Sequence, residues 1–242
     1  RMDAIERFAA DVAHEIKNPL TSLRSAVETV QRVGDGERRD RLLAIIADDV
    51  QRLDRLITDI SNASRLDAEL SRADYEIVDL AALLNALAEI HANAAEVEAE
   101  SGERNGAPRP RAAFRPPNPG DCRVRGLEGH LTQIFHNLIG NALSFSPPGG
   151  VVEVAARRER QWVVVTVADQ GPGIPPGKEE AIFERFYSER PAGEVFGRHS
   201  GLGLSIARRV AEMHGGAVSA KNLHDGDGRI CGALFTVRLP RA

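Results

Sequence analysis

Apolar residues in the first sixty positions recur three and four apart. Ala9, Val12, Ala13, Ile16, Leu20, Leu23, Val27 and Val30 form one series, and Leu42, Ile46, Val50, Leu53, Ile57 and Ile60 a second. On a helix turning 100° per residue each series falls on one face, so the spacing predicts two amphipathic helices. Gly34 and Gly36 supply a turn between them. Two long helices joined by a short polar turn make an antiparallel hairpin, which cannot bury both stripes alone. Pairing with a second copy in a four-helix bundle would bury them. The discordant residue is Pro19, inside the first helix, where a proline removes a hydrogen bond and costs roughly 3 kcal/mol.

Beyond Leu66 the pattern changes. VDLAALLNALAEIHANAAEVEAE reads as a third helix, whereas residues 101–120, SGERNGAPRPRAAFRPPNPG, read as irregular chain whose prolines argue against a central strand. A helix around HLTQIFHNLIGNALSF follows, then a β-rich pair in VVEVAARRERQWVVVTVAD, a Gly/Pro loop, a helix from about Leu204 to His214, and a final strand in ALFTVRL. Helices interleaved with strands predict a second domain of α/β sandwich type, so the chain as a whole is α+β. The expected division is a helical-hairpin domain over 1–69 and an α/β domain over 70–242.

Composition alters this picture little. In 242 residues, 42% hydrophobic side chains suit an ordinary globular protein, and a formal net charge of -4 lacks the basic excess of a nucleic-acid binder. Cys122 and Cys231 are far apart without metal-ligand spacing. They read as thiols of a reducing compartment, with one disulfide as the alternative. No apolar run approaches the length of a membrane span. The chain opens on RMDAIERF, already helical in pattern, as expected of a piece of something longer.

Candidate chemistry begins at HEIKNPL, residues 14–20. With the apolar stripe running through Val12, Ile16 and Leu23, His14 lies nearly opposite, flanked by Asp11 and Asn18 one turn below and above and adjacent to Glu15. An imidazole held in the open beside a carboxylate that orients one ring nitrogen leaves the other available as a nucleophile. A lone histidine on such a face is more often merely solvated. A zinc-protease HExxH is ruled out because Asn18 occupies the place of the second ligand. In DQGPGIP, residues 169–175, Asp169 stands where a strand ends. Its carboxylate can accept a hydrogen bond from an exocyclic amine such as that of adenine, and Gly171 and Gly173 let backbone pass close to a ring. SGLGL, with Gly201, Leu202 and Gly203, opens a helix, so amides converge where phosphate is favoured. HNLIGNA puts Asn137 and Asn141 on one helix face, and their amide oxygens suit Mg²⁺. In IFERFY, residues 182–187, packing is the plain reading, although Tyr187 could reach a base. Each segment alone has a bland alternative: a turn, a cap or a core residue.

In this order and at these separations, HEIKNPL, HNLIGNA, DQGPGIP, IFERFY and SGLGL resemble the H, N, G1, F and G2 boxes of bacterial sensor histidine kinases. FYSERPAGEVFGRHSGLGLSIA and NALSFSPPGG are further similar to the ChvG/ExoS type. The resemblance implies a dimerisation and histidine-phosphotransfer domain whose hairpins form a four-helix bundle in the homodimer. An ATP-binding domain of the histidine kinase/Hsp90/gyrase type follows. It implies that His14 attacks the γ-phosphate of ATP with Glu15 as neighbouring base, that Asn137 and Asn141 hold Mg²⁺, and that Asp169 recognises adenine. Gly171, Gly173, Gly201 and Gly203 then shape the nucleotide loops. By the same resemblance the phosphoryl group passes to an aspartate of a response regulator receiver domain, and Asn18 positions the water that later removes it. Pro19 becomes a tolerated kink, and the chain becomes the cytoplasmic portion of an inner-membrane sensor.

Two positions depart from the family pattern. Ser144-Phe145 stands where Lys-Tyr is common, and Ser188 where Arg is common. Both absent cations would face phosphates, and Arg190 is placed to substitute for the second. Residues 188–200 are expected to form an ATP lid with Gly193 and Gly197 as hinges. An autokinase is the first reading, a catalytically weak or phosphatase-biased signalling scaffold the second, and a chaperone- or topoisomerase-like ATPase a distant third, since the last does not need the His14 helix.

Overall fold

The computed structural model describes residues 2–34, 36–70, 75–100, 110–115, 122–187 and 201–242, with side chains described for 10–34, 36–61, 75–91, 110–115, 122–187 and 201–242. Residue contacts group the chain into two compact units, Arg1–Ala68 with Arg185–Leu202, and Glu69–Glu184 with Gly203–Ala242.

The first unit contains α1 (Met2–Val30) and most of α2 (Glu37–Leu70). The helix α1 runs through Pro19 as one element, and Pro19 is buried. Its ring offers no N–H to the Glu15 carbonyl one turn back. Two residues on, the Thr21 hydroxyl donates to the Lys17 carbonyl at 2.8 Å, a side-chain bond that accompanies bent helices. Glu37 and Asp40 sit in the first turn of α2, where acidic groups oppose the helix dipole favourably. Among the described residues of the hairpin Pro19, Ala26, Asp49 and Leu56 are buried, while Leu20 and Val27 on α1 and Leu43, Val50 and Ile57 on α2 stay exposed. Each exposed series steps by seven, the repeat of a coiled-coil seam.

The second unit is built on a five-stranded mixed sheet in the order β2-β4-β5-β7-β6, from β2 (Arg111–Arg115), β4 (Val151–Glu159), β5 (Trp162–Ala168), β6 (Ala217–His224) and β7 (Ile230–Pro240). Strands β2 and β4 are parallel, and the other neighbours are antiparallel. Cross-strand partners share a face, so Val154, Val167 and Phe235, Val165 and Val237, and Val163 and Leu239 make one continuous buried surface. Against the sheet pack α3 (Leu80–Glu100), α4 (Glu128–Phe145) and α5 (Gly203–Met213). The inward stripe of α4 is Leu131, Ile134, Phe135, Leu138, Ile139 and Ala142, and that of α5 is Ile206, Ala207, Val210 and Ala211. Burial of each large apolar side chain contributes about 1.5–3 kcal/mol, so this surface rather than helix propensity holds α4 and α5 in place. A separate antiparallel pair joins β1 (Glu76–Asp79) to β3 (Arg123–Gly126).

The α+β architecture agrees with the sequence reading. One expectation is corrected: within residues 101–120 the chain is not wholly irregular, because Arg111–Arg115 forms β2. That window contains no proline and lies between Pro110 and Pro116. It occupies a sheet edge, where prolines in and beside a strand are best tolerated. Cys122 is buried and Cys231 exposed, and no disulfide joins them. Among the described residues no helix is long and apolar enough to cross a membrane.

Candidate functional site

On the hairpin, Asp11, His14 and Asn18 are all exposed, as a face opposite the apolar stripe requires. Glu15 turns toward α2, where Arg52 Nη2 donates to its Oε2 at 3.1 Å. Side-chain exposures of 14% for Arg52 and 25% for Glu15 mark a partly sheltered pair, better protected from screening than a surface salt bridge. The acid beside His14 is therefore fixed in direction by the second helix. Arg52 is a residue the sequence reading did not find. Its signal, a cation on α2 opposite Glu15, depends on the register of two helices.

Tyr187, Gly201 and Leu202 fall in the same compact unit as the hairpin. There the Phe186 N–H donates to the Gly201 carbonyl at 2.9 Å. Gly201 has φ +71°, and a Cβ there would lie 2.8 Å from Phe186 Cα, so glycine is needed for both conformation and space. Arg190, Ser188, Gly193, Gly197 and the expected lid lie outside the described residues.

In the second unit the loop after β5 carries Asp169, which is 4% exposed. Its Oδ1 accepts two backbone N–H bonds, from Gly171 at 2.9 Å and from Ala233 of β7 at 3.0 Å, while the Asp169 N–H donates to the Ala233 carbonyl at 2.9 Å. Among the described residues none donates to Oδ2. Burial pushes the Asp169 carboxyl above the usual aspartate range, with the two amide bonds opposing that rise. Glycines allow the close fit. A Cβ at Gly171 would stand 2.7 Å from the Phe145 carbonyl at the end of α4, one at Gly173 (φ +78°) would meet Ile230 and Asn222, and one at Gly232 would run into the Asp169 carbonyl.

Asn222 of β6 completes the clamp. Its Oδ1 accepts from the Ile174 N–H at 2.6 Å and its Nδ2 donates to the Ile174 carbonyl at 2.8 Å. Sequence reasoning missed Asn222, since one amide in AVSAKNLH carries no signal until β6 is paired beside β7.

Asn137 and Asn141 lie on α4, both partly exposed. Asn137 Nδ2 donates to the Gly203 carbonyl at the start of α5 at 3.1 Å, which leaves its Oδ1 as the available donor atom. Ser144 Oγ donates to the Asn141 carbonyl at 2.9 Å. The hydroxyl therefore folds back on its own helix, and it brings no charge where a lysine would. His136, next to Asn137, stacks on His91 of α3 with ring centroids 5.4 Å apart, a packing role. Ile182 and Phe183 are buried, and the Arg208 guanidinium lies 5.4 Å from the Phe183 ring centroid while pairing with Glu180 at 2.8 Å. IFERFY thus begins as packing. Among the described residues no three His, Cys, Asp or Glu side chains cluster for a metal.

Residues 4–69 match the His Kinase A (phospho-acceptor) domain, and residues 126–242 match the histidine kinase-, DNA gyrase B- and HSP90-like ATPase. The chain is 50% identical over 246 residues to the sensor protein ChvG of Rhizobium meliloti, a match covering 99% of this chain and 41% of that protein. It is 49% identical over 243 residues to ChvG of Agrobacterium fabrum, covering 100% and 40% respectively. It thus spans about two fifths of the length of these curated relatives. Full-length ShkA in complex with AMPPNP superposes with TM-score 0.60 at 28% identity over 98% of this chain and 46% of that one. ThkA in complex with the response regulator TrrA shares the fold, with TM-score 0.73 at 22% identity over 100% and 63%. A phospho-acceptor domain followed by this ATPase domain, with 50% identity to a ChvG sensor protein along almost the whole of this chain, places it in its family: it belongs to the sensor histidine kinases, of the ChvG type.

Proposed function

We propose that the chain is a kinase core that moves the γ-phosphoryl group of ATP to His14 and then to an aspartate of a response regulator, with domains divided at residues 69 and 70. The observation carrying this reading is Asp169: a buried carboxylate with one oxygen locked by two backbone amides and the other left for an exocyclic amine. Exposed His14 beside the oriented Glu15 supports the acceptor end. One ring nitrogen of His14 attacks phosphorus, the bond to the β,γ-bridging oxygen breaks, and ADP departs with that electron pair. The second ring nitrogen then sheds its proton toward Glu15. Such a loose transfer needs positioning and charge neutralisation more than covalent help. Asn137 and Asn141 offer oxygen donors one turn apart, which fits Mg²⁺, a hard cation that would neutralise phosphate charge.

Incubation with γ-labelled ATP followed by acid and base treatment tests the reading. Phosphohistidine is acid-labile and base-stable, so base-stable label supports the kinase. ATP hydrolysis without label would instead support an ATPase. The absent lysine at Ser144 favours a slow kinase as the second reading, separable by comparing labelling rate with the rate of regulator dephosphorylation.

The same proposal includes a homodimer through the hairpin, because Leu43, Val50 and Ile57 otherwise leave an apolar seam in water. Light scattering at micromolar concentration should give twice the chain mass, and Val50→Glu should shift the population to monomer. A wild-type monomer would remove the claim.

Asn18 sits about 40° around α1 from His14, one turn on, where its amide can orient water toward a regulator's phosphoaspartate. Orientation and hydrogen bonding suffice for that hydrolysis. Asn18→Ala should keep most autokinase activity and lose dephosphorylation, and Glu15→Ala should do the reverse. Wild-type dephosphorylation by purified Asn18→Ala protein would sink the assignment.

A further inference from the structure

His214 closes α5 and is 8% exposed. Its Nδ1 lies 2.8 Å from the Val210 carbonyl, one turn back on α5, and its Nε2 lies 3.2 Å from the Leu127 backbone N–H. One ring state satisfies both neighbours: neutral, with the proton on Nδ1 donating to Val210 and the bare Nε2 accepting from Leu127. Leu127 is the residue immediately ahead of α4, and no side-chain cap is present at that end of the helix. The imidazole therefore supplies from another element the acceptor that a Glu or Gln at the third helical position would supply to this N–H in a capping box.

The ring's site is built to hold it. A Cβ at Gly126 would lie 2.6 Å from His214 Cδ2 and 2.9 Å from Nε2, so the backbone of β3 fits the ring only as glycine. Tyr75 meets the ring edge-on at a centroid distance of 5.3 Å, and its hydroxyl donates to the Met213 carbonyl at 3.4 Å. The titratable groups facing the imidazole are Tyr75, ahead of β1, and His130, on α4 at 6.4 Å.

We propose that His214 is a positioning residue for the nucleotide helix: a neutral imidazole latch that joins the end of α5 to the beginning of α4 and so sets where Asn137 and Asn141 lie. Helices α4 and α5 are tied twice, by Asn137 to Gly203 and by Leu127 to His214. Releasing the second tie lets α4 shift along α5, and the first tie carries that shift to the amide oxygens. This rests on the reading that α4 carries the nucleotide-metal contacts. A protonated ring would present N–H against N–H at Leu127, so the latch opens in acid. Burial, followed by the nearby His130, holds the imidazole below its ordinary range, while its bond to Val210 raises it in part. With the folded value below the unfolded one, the unfolded state takes up the proton first. The latch's stabilisation is complete above roughly pH 6.5 and is lost as pH falls through the window beneath it.

Three forms of the full chain test the latch: wild type, His214→Gln, whose amide oxygen accepts from Leu127 without titrating, and Gly126→Ala, which displaces the ring without removing it. In wild type, imidazole ¹⁵N shifts should report the Nδ1–H tautomer, and the protection of the Leu127 amide, relative to the intrinsic exchange rate at each pH, should be high at neutral pH and lower in acid. The KM for ATP in autophosphorylation should rise about tenfold in Gly126→Ala with kcat changing less, the pattern of lost positioning. His214→Gln should resemble wild type at pH 7.5 and keep its Leu127 protection on acidification. An Nε2–H tautomer, or identical pH profiles of Leu127 exchange in wild type and His214→Gln, would overturn the proposal. Should His214→Gln fail to fold, the wild-type tautomer and the Gly126→Ala kinetics still decide it. If α4 were not the nucleotide helix, Leu127 exchange would follow these expectations while ATP parameters stayed flat, so the two failures are distinguishable.

Discussion

His14→Gln protein, incubated with γ-labelled ATP, should take up no base-stable label while binding nucleotide as tightly as the wild type. The side chain is exposed on a helix, and glutamine is a good helix former, so stability should change by no more than about 0.5 kcal/mol. Chemistry alone is removed: an amide nitrogen has no lone pair free to attack phosphorus, whereas a neutral imidazole does. The effect on base-stable label should be total, because an amide such as that of Asn18 does not attack phosphorus and a carboxylate such as that of Asp11 could yield only a base-labile acyl phosphate. Asp11 and Asn18 are its exposed neighbours, and Glu15 is held by Arg52. Label that persists would have to reside on another of the seven histidines. His136 is a poor candidate because it is stacked on His91, and His214 is worse, since both ring nitrogens are engaged. Arg52→Gln gives a graded companion. It frees Glu15 without removing it, so a fall in labelling rate with unchanged nucleotide affinity would assign the orientation of Glu15 to Arg52.

How far the sequence could be read depended on the range of the forces involved. The hairpin was legible because a period of 3.6 over thirty residues is a strong local signal, and α4, β4 and β5 were legible for the same reason. Strand β6 was not foreseen: AVSAKNLH alternates weakly, and its strand character comes from pairing with β7. The four-residue strands β1 and β3 pair with each other across more than forty residues of chain, so neither announces itself. Asp169, Gly171 and Gly173 were visible as a motif, but what makes the aspartate useful was not. Ala233, Gly232 and Asn222, all contributed by strands β6 and β7, lock one of its oxygens and set its loop. Arg52 and His214 belong to the same class, residues whose meaning is a tertiary neighbour. Pro19 was legible as an anomaly, and its burial inside a continuous helix is the structural answer.

Asp169→Asn should weaken ATP binding by about a hundredfold or more without lowering thermal stability. The substitution keeps the shape and keeps one oxygen for the Gly171 and Ala233 amides, which now bond Oδ1 at 2.9 and 3.0 Å. It replaces Oδ2 with an NH₂ group, so an adenine amine would meet a donor instead of an acceptor. Losing a hydrogen bond to a charged acceptor costs about 1.5–3 kcal/mol, and the opposed donors add to it. Each 1.4 kcal/mol is a factor of ten, which gives the expected range. Stability moves the other way. With the folded carboxyl raised above its unfolded value by burial, the folded state binds the extra proton first. Ionisation therefore lowers stability as pH rises through the raised value, and above it the wild type carries the full penalty. A neutral amide never carries it, so at pH 7 the variant should melt no lower than the wild type. The same raised value means that wild-type ATP affinity should begin to fall on acidification above the range of an ordinary aspartate, while the weak binding of Asp169→Asn stays independent of pH there. Isothermal titration across pH, paired with melting curves, reads both effects. Unchanged affinity in the variant would remove Asp169 as the adenine acceptor, and a large drop in melting temperature would show that the carboxylate serves the loop's fold instead of its ligand.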